Sequence, residues 1–148
     1  MSKFLGLREE HMDIYGTVSA GVSYTPGKAF TSADSYGTEI KGNVISRTAD
    51  DVALWRAKLV ITKDFASSGS ATLTVKVYGS RELSSGSLDN PDTLYASSAI
   101  ALSDLKKGVW LLDMVLPSGY HHYQVGLTPG VAAFTAGEVQ GFVEPEFN

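Results

Sequence analysis

The chain has 148 residues, 43% hydrophobic and 19% charged, and its 12 Lys and Arg stand against 16 Asp and Glu for a net charge of −4. A domain of this length buries roughly 70% of its unfolded surface, so the composition excludes a solvated disordered chain. The acidic balance excludes the basic footprint of a nucleic-acid clamp. There is no Cys, which removes disulfide frameworks, thiolate zinc sites and thiol catalysis together.

At the start of the chain, Arg8, Glu9, Glu10, His11 and Asp13 stand where a secretory signal would need an apolar run. No stretch approaches the ~20 apolar residues of a membrane span. The expectation is a soluble chain made in the cytosol, with no membrane partner. Residues 15–27 carry aromatic and aliphatic anchors without sustained alternation, and Thr38 to Ser46 reads as an edge strand. Residues 1–50 are therefore read as an extended arm with one or two edge strands, and 51–148 as the β-sandwich of a single domain. Phe4, Leu5, Tyr15, Val18, Val22, Tyr24 and Phe30 are its spaced anchors. Such a segment alone does not offset a backbone ordering cost of about 1–2 kcal/mol per residue, so it is expected to order against a neighbouring chain. Tyr15, Tyr24 and Phe30 are the named contacts, and deletion of residues 1–35 is expected to leave the sandwich folded.

From Asp51 onward, alternation with a period of two dominates. Ala53, Trp55, Ala57, Leu59 and Ile61 share one strand face, opposed by Leu54, Arg56, Lys58 and Val60. Ala71, Leu73, Val75 and Val77 form a second apolar face. Tyr123, Val125 and Leu127 form a third, and Val139, Gly141 and Val143 a fourth. Residues 66–70 and 84–92 read as loops, the latter long and exposed. Residues 103–107 form the only helical turn, closed by Gly108, while Pro117-Ser118-Gly119 and Thr128-Pro129-Gly130 read as tight turns. Short strands with Gly-rich connections indicate an antiparallel sandwich or barrel.

The segment from Gly108 to Leu116 is apolar on both faces. Trp110, Leu112, Met114 and Leu116 are expected in the core. Leu111 and Val115 on the opposite face require a second cover, either the arm or another subunit. With few surface charges, this points to a homo-oligomer, a trimer in preference to a dimer.

No constellation carries chemistry. His121 and His122 are sequence neighbours that a strand would direct to opposite faces, so they do not chelate one ion together. Asp50-Asp51 and the pair Glu144 and Glu146 read as a turn and a solubilising tail rather than facing carboxylates. Asp89-Asn90-Pro91-Asp92 lacks the ligand spacing of a calcium loop. There is no Gly-x-Ser-x-Gly elbow and no phosphate-binding loop. The reading names no catalytic, cofactor-binding or metal residue, no cofactor, and no enzyme activity. Two Trp and seven Tyr leave one alternative, a carbohydrate-binding or adhesive β-sandwich module, although Trp55 and Trp110 fall on apolar strand faces that favour the core.

Four segments carry a resemblance: residues 65–75 (FASSGSATLTV), residues 92–97 (DTLYAS) with Ile100, residues 116–120 (LPSGY) and residues 134–139 (FTAGEV). From about Trp55 to Val143 the chain resembles the jelly-roll capsid cement, or decoration, proteins of tailed bacteriophages. The resemblance implies an all-β fold, an antiparallel jelly-roll β-sandwich. It implies a non-enzymatic structural protein that binds the major capsid protein on the outer surface of the virion and stabilises the shell against internal DNA pressure. Synthesis in the host cytoplasm follows.

Overall fold

A computed structural model describes residues 13–19, 23–47 and 54–145. In chain order the strands are β1 (Thr17–Ser19), β2 (Ser23–Thr25), β3 (Gly27–Ala29), β4 (Ile40–Lys41) and β5 (Ile45–Ser46). The long strands β6 (Trp55–Ala66) and β7 (Thr72–Ser80) follow, then β8 (Glu82–Ser84), β9 (Ser87–Asp89), β10 (Asp92–Ala96) and β11 (Ile100–Ala101). A 3-10 turn at Leu102–Asp104 precedes β12 (Trp110–Leu116), β13 (His122–Gly130) and β14 (Ala136–Pro145). The chain is an antiparallel β-sandwich. One sheet has the order β12-β6-β14-β3; the other has β10-β7-β13-β4, with β11 also on β7 and β5 also on β13. The pairings β6 with β14 and β7 with β13 are nested, as in a strip of chain folded back on itself.

The period-two pattern explains the four central strands. On β6, Ala57, Leu59, Ile61 and Phe65 point inward and are buried. Across the sandwich, Leu73, Val75 and Val77 of β7 and Tyr123, Val125 and Leu127 of β13 meet them, and Val139 and Val143 of β14 complete the core. Each strand buries one face because successive side chains alternate.

The described residues among the first fifty depart from the expectation of an arm laid on another surface. β3 pairs with β14, and β4 and β5 both pair with β13, so these strands extend both sheets. Ile14, Tyr15 and Phe30 are buried in the core of their own chain. The reason is edge satisfaction: without these short strands, β13 and β14 would each present an unpaired row of backbone groups. Tyr15 donates its hydroxyl to the Ile40 carbonyl at 2.6 Å, and the Asn43 amide donates to the carbonyls of Asp13 at 3.0 Å and Gly16 at 2.7 Å. Tyr15 and Phe30 are thus core residues rather than intersubunit anchors. Phe4, Leu5, His11, Val22, Asp50, Asp51, Ala53 and Glu146 lie outside the described residues, as do the side chains of Val18 and Tyr24.

β12 is the second departure. Its pairing with β6 shifts register between Trp110 and Leu112. The bulge lets Leu111 and Leu112 both turn inward, where they are 6% and 3% exposed, and it re-aims Trp110 to solvent at 55%. Leu111 is therefore a core residue and Trp110 is a surface one, the reverse of the alternation reading. Leu116 is buried as expected, Met114 and Trp55 are half-buried against the core, and Val115 is 36% exposed. Acrylamide is accordingly expected to quench Trp110 far more than Trp55. Trp110→Ser should remove the quenchable emission while changing stability by no more than about 0.5 kcal/mol; equal quenching of the two indoles would contradict the bulge.

Two connections also differ from expectation. Residues 84–92 are not a loop but mostly a hairpin, β8 with β9, whose Ser85 and Gly86 have φ of 51° and 80°. Two consecutive positive φ values suit the right-handed twist of a tight hairpin. Its base is held by buried Ser80, whose hydroxyl donates to the carbonyls of Glu82 and Asp89. Thr128, Pro129 and Gly130 are not a turn but the end of β13, paired with Thr74, Leu73 and Thr72. The reversal falls one residue later, at Val131.

Candidate functional site

The outer face of the β12-β6-β14 sheet combines apolar side chains with paired charges. In one register row Asp113, Lys58 and Phe142 stand side by side; in the next stand Val115, Arg56 and Glu144. The ion pairs run diagonally between rows, Arg56 to Asp113 at 2.8 Å and Lys58 to Glu144 at 3.1 Å. Exposed pairs of this kind contribute about 0–1 kcal/mol to stability. Their consequence for binding is larger, because a face whose charges are already paired can be covered without stranding a charge. Around them Trp110, Val115 and Phe142 are exposed, the last at 42%.

The opposite outer face is polar. Gly126 of β13 leaves room for the Glu39 side chain to lie across the sheet, where a Cβ at that position would meet its carboxylate. There Glu39 accepts a hydrogen bond of 2.6 Å from the Tyr78 hydroxyl. Burial, and then the Glu39 carboxylate, push the Tyr78 hydroxyl up to about 12 from its ordinary 10.0. Burial also raises the Tyr15 hydroxyl, with Glu39 adding to the shift. The folded chain thus keeps protons that the unfolded chain releases near pH 10. These contributions are complete below pH 10 and are lost as pH rises towards 12. An alkaline denaturation series should show this loss, and Tyr78→Phe should make it shallower; an identical slope in the variant would refute the assignment.

The histidines lie apart from the charged rows of the first face. His121 and His122 have ring centroids 6.4 Å apart, and His122 Nδ1 is engaged by Ser46 Oγ at 2.7 Å. Burial, followed by the neighbouring His121, lowers the His122 pKa, which favours the neutral form of that ring. No group of three or more metal-ligating side chains converges among the described residues. A cavity between Ile45, Trp55, Leu116 and Tyr123 measures about 20 Å³, room for one water rather than a substrate. The Tyr120 ring is covered by Arg81, its guanidinium 5.4 Å from the centroid, and its hydroxyl donates to Asp92 at 2.7 Å. The exposed rings of Tyr36, Tyr95 and Trp110 stack on no other ring among the described residues.

A third surface lies at one end of the sandwich, where residues 31–38, 67–70 and 130–137 come together. Gly37 N–H donates to Pro129 O at 2.7 Å, Ser67 Oγ donates to Ala133 O at 2.8 Å, and Thr135 N–H donates to Ala66 O at 2.8 Å. Beneath them Phe30, Phe65 and Phe134 form a closed aromatic triad, with centroid separations of 5.2, 5.8 and 4.8 Å. At the tip, Ala132 N–H donates to Gly130 O at 2.8 Å across Val131, whose φ is 70°. This is the rarer, strained form of γ-turn. Alternation does not reveal this end, because its loops carry no period; Gly and Ser spacing marks the turns but not their convergence.

Of the residues expected at contacts whose side chains are described, Val115 lies on the surface. Tyr15, Phe30 and Leu111 are internal, and the Tyr24 side chain lies outside the described residues. Trp110 and Phe142 join Val115 instead. No helix among the described residues is long and apolar enough to cross a membrane. The sequence matches no protein-family model and no curated protein.

Proposed function

We propose that the chain is a non-enzymatic structural protein that binds the outer surface of a phage capsid and stabilises the shell. The observation that carries this reading is the open β12-β6-β14 face, where Trp110, Val115 and Phe142 surround charges already neutralised by one another. Such a face suits a protein contact. The resemblance of residues 55–143 to capsid cement proteins supports the same reading, with the major capsid protein as partner and the outer capsid surface as location. Val115 and its neighbours favour self-association as well, as a trimer in preference to a dimer.

The mechanism is linkage. A protein that binds the assembled shell but not its separated subunits shifts the equilibrium towards the shell by mass action. An oligomer that engages several subunits at once multiplies weak contacts through effective concentration. The test is co-sedimentation with capsids of the encoding phage assembled without this protein, followed by heating of decorated and bare shells. Binding with a raised shell disruption temperature is the expected result. Absence of binding, with retention on a glycan array, would replace the reading with a carbohydrate-binding module.

A further inference from the structure

We propose that β12 is the self-association edge of this chain, two copies pairing their β12 strands antiparallel about a two-fold axis at Met114. The inference rests on the self-association in the reading above. It gives that association two-fold symmetry in place of three-fold, because an edge that pairs with its own copy is satisfied at two chains.

β12 ends its sheet, and no strand among the described residues pairs with its outer side. On its inner side, Ile61 O accepts from Gly108 N–H at 2.8 Å and Ile61 N–H donates to Val109 O at 2.9 Å. The odd-numbered residues of β6 therefore turn their backbone groups towards β12, and Trp55, Ala57 and Leu59 bond their register partners Leu116, Met114 and Leu112. Alternation leaves the N–H and C=O groups of Asp113 and Val115 directed to the open edge. Such a row is a template for another strand. The other sheet ends are blunted: β3 and β4 span three and two residues with a Lys in each, and β10 is interrupted by a register shift. β12 has seven residues with no Lys or Pro, and its bulge lies at one end, leaving residues 112–116 regular.

Charge then selects the occupant and the register. Pairing with a second copy aligns inner with inner faces only when the axis falls on a residue. An axis at Asp113 sets two carboxylates directly opposite each other, which is destabilising. An axis at Met114 uses the whole regular stretch and sets Asp113 of each copy opposite Val115 of the other, where the two exchange N–H···O=C bonds. The outer row then runs Phe142, Lys58, Asp113 from one copy into Val115, Arg56, Glu144 from the next. Its charges alternate in sign across the junction, with no like charges side by side. On the inner side, half-buried Met114 meets its own counterpart and is covered. The face of Trp110, Val115 and Phe142 stays open and doubles in width, so a dimer offers it twice to one shell.

Sedimentation equilibrium and thermal melts of the full chain test this, and wild type is expected to be a dimer. Val115→Pro removes an N–H that serves no bond among the described residues. It should therefore melt near wild type while its dimer dissociation constant rises about tenfold or more. Met114→Cys places two thiols across the axis at a Cα separation of about 4.5 Å, within disulfide reach, and should cross-link the dimer on treatment with diamide. Val115→Cys, about 7–8 Å from its counterpart, should not. A monomeric or trimeric wild type, a dimer that Val115→Pro leaves unchanged, or cross-linking through Val115→Cys rather than Met114→Cys would each overturn the proposal. Capsid binding by a monomeric wild type would defeat this inference alone, and a β12 dimer that leaves capsids unbound would defeat the capsid reading alone.

Discussion

Deletion of residues 1–35 is expected to abolish cooperative folding. The deletion removes Ile14, Tyr15 and Phe30, all buried in the core, together with β3, which covers the outer edge of β14. Loss of one buried large side chain costs about 2–5 kcal/mol, and three such losses approach or exceed the 5–15 kcal/mol that stabilises a typical domain. The truncation also takes away the Tyr15 hydroxyl that serves the Ile40 carbonyl and exposes the backbone edge beside Gly141, whose carbonyl accepts from Ile14 N–H at 3.0 Å. Circular dichroism and a urea titration would read the outcome. A truncated chain that unfolds in a single sharp transition near the wild-type midpoint would show that the first 35 residues are an accessory.

Phe134→Ala should be the most damaging single substitution at the loop end. Phe134 is completely buried and packs edge-on against both Phe30 and Phe65. The three rings come from the N-terminal segment, from β6 and from the β13–β14 connection, so one truncation loosens three separate parts of the chain. The expected cost is about 3–5 kcal/mol, which for a domain of this size lowers the melting temperature on the order of 10 °C. Phe134→Leu, which keeps most of the volume, should cost substantially less. The space left would not be relieved from Gly137, which has φ 137° and lies against the Phe65 ring, where a Cβ would collide. A melt within about 2 °C of wild type would mean that the triad contributes little.

The two predictions bear on function through the same geometry. The N-terminal residues that were expected to reach outward instead secure the sandwich from within, so the contact surfaces must be sought elsewhere. Among the described residues, the large apolar side chains left exposed are Tyr36, Leu54, Leu83, Tyr95, Val109, Trp110, Val115, Val131 and Phe142. Of these, Trp110, Val115 and Phe142 share the β12-β6-β14 face with the Arg56–Asp113 and Lys58–Glu144 ion pairs.

The amino-acid sequence by itself determined the fold class and the four central strands. Ala57, Leu59 and Ile61, or Leu73, Val75 and Val77, specify a half-buried strand because alternation with a period of two has only one structural solution. It also determined the absence of thiol chemistry, since no tertiary arrangement supplies a missing Cys. Tertiary structure decided the rest, for three physical reasons. The strands β3, β4 and β5 are two or three residues long, too short to show a period, and their partners in β13 and β14 lie about a hundred residues away. On β12 both faces are apolar, so nothing in the pattern locates the bulge that buries Leu111 and exposes Trp110; packing against β6 places it. At the end of β13, Pro129 and Gly130 carry the composition of a turn, yet pairing with β7 extends the strand through both and moves the reversal, with its strain, onto Val131. Local chemistry names which residues can turn, but only the neighbouring strand decides where the turn is made.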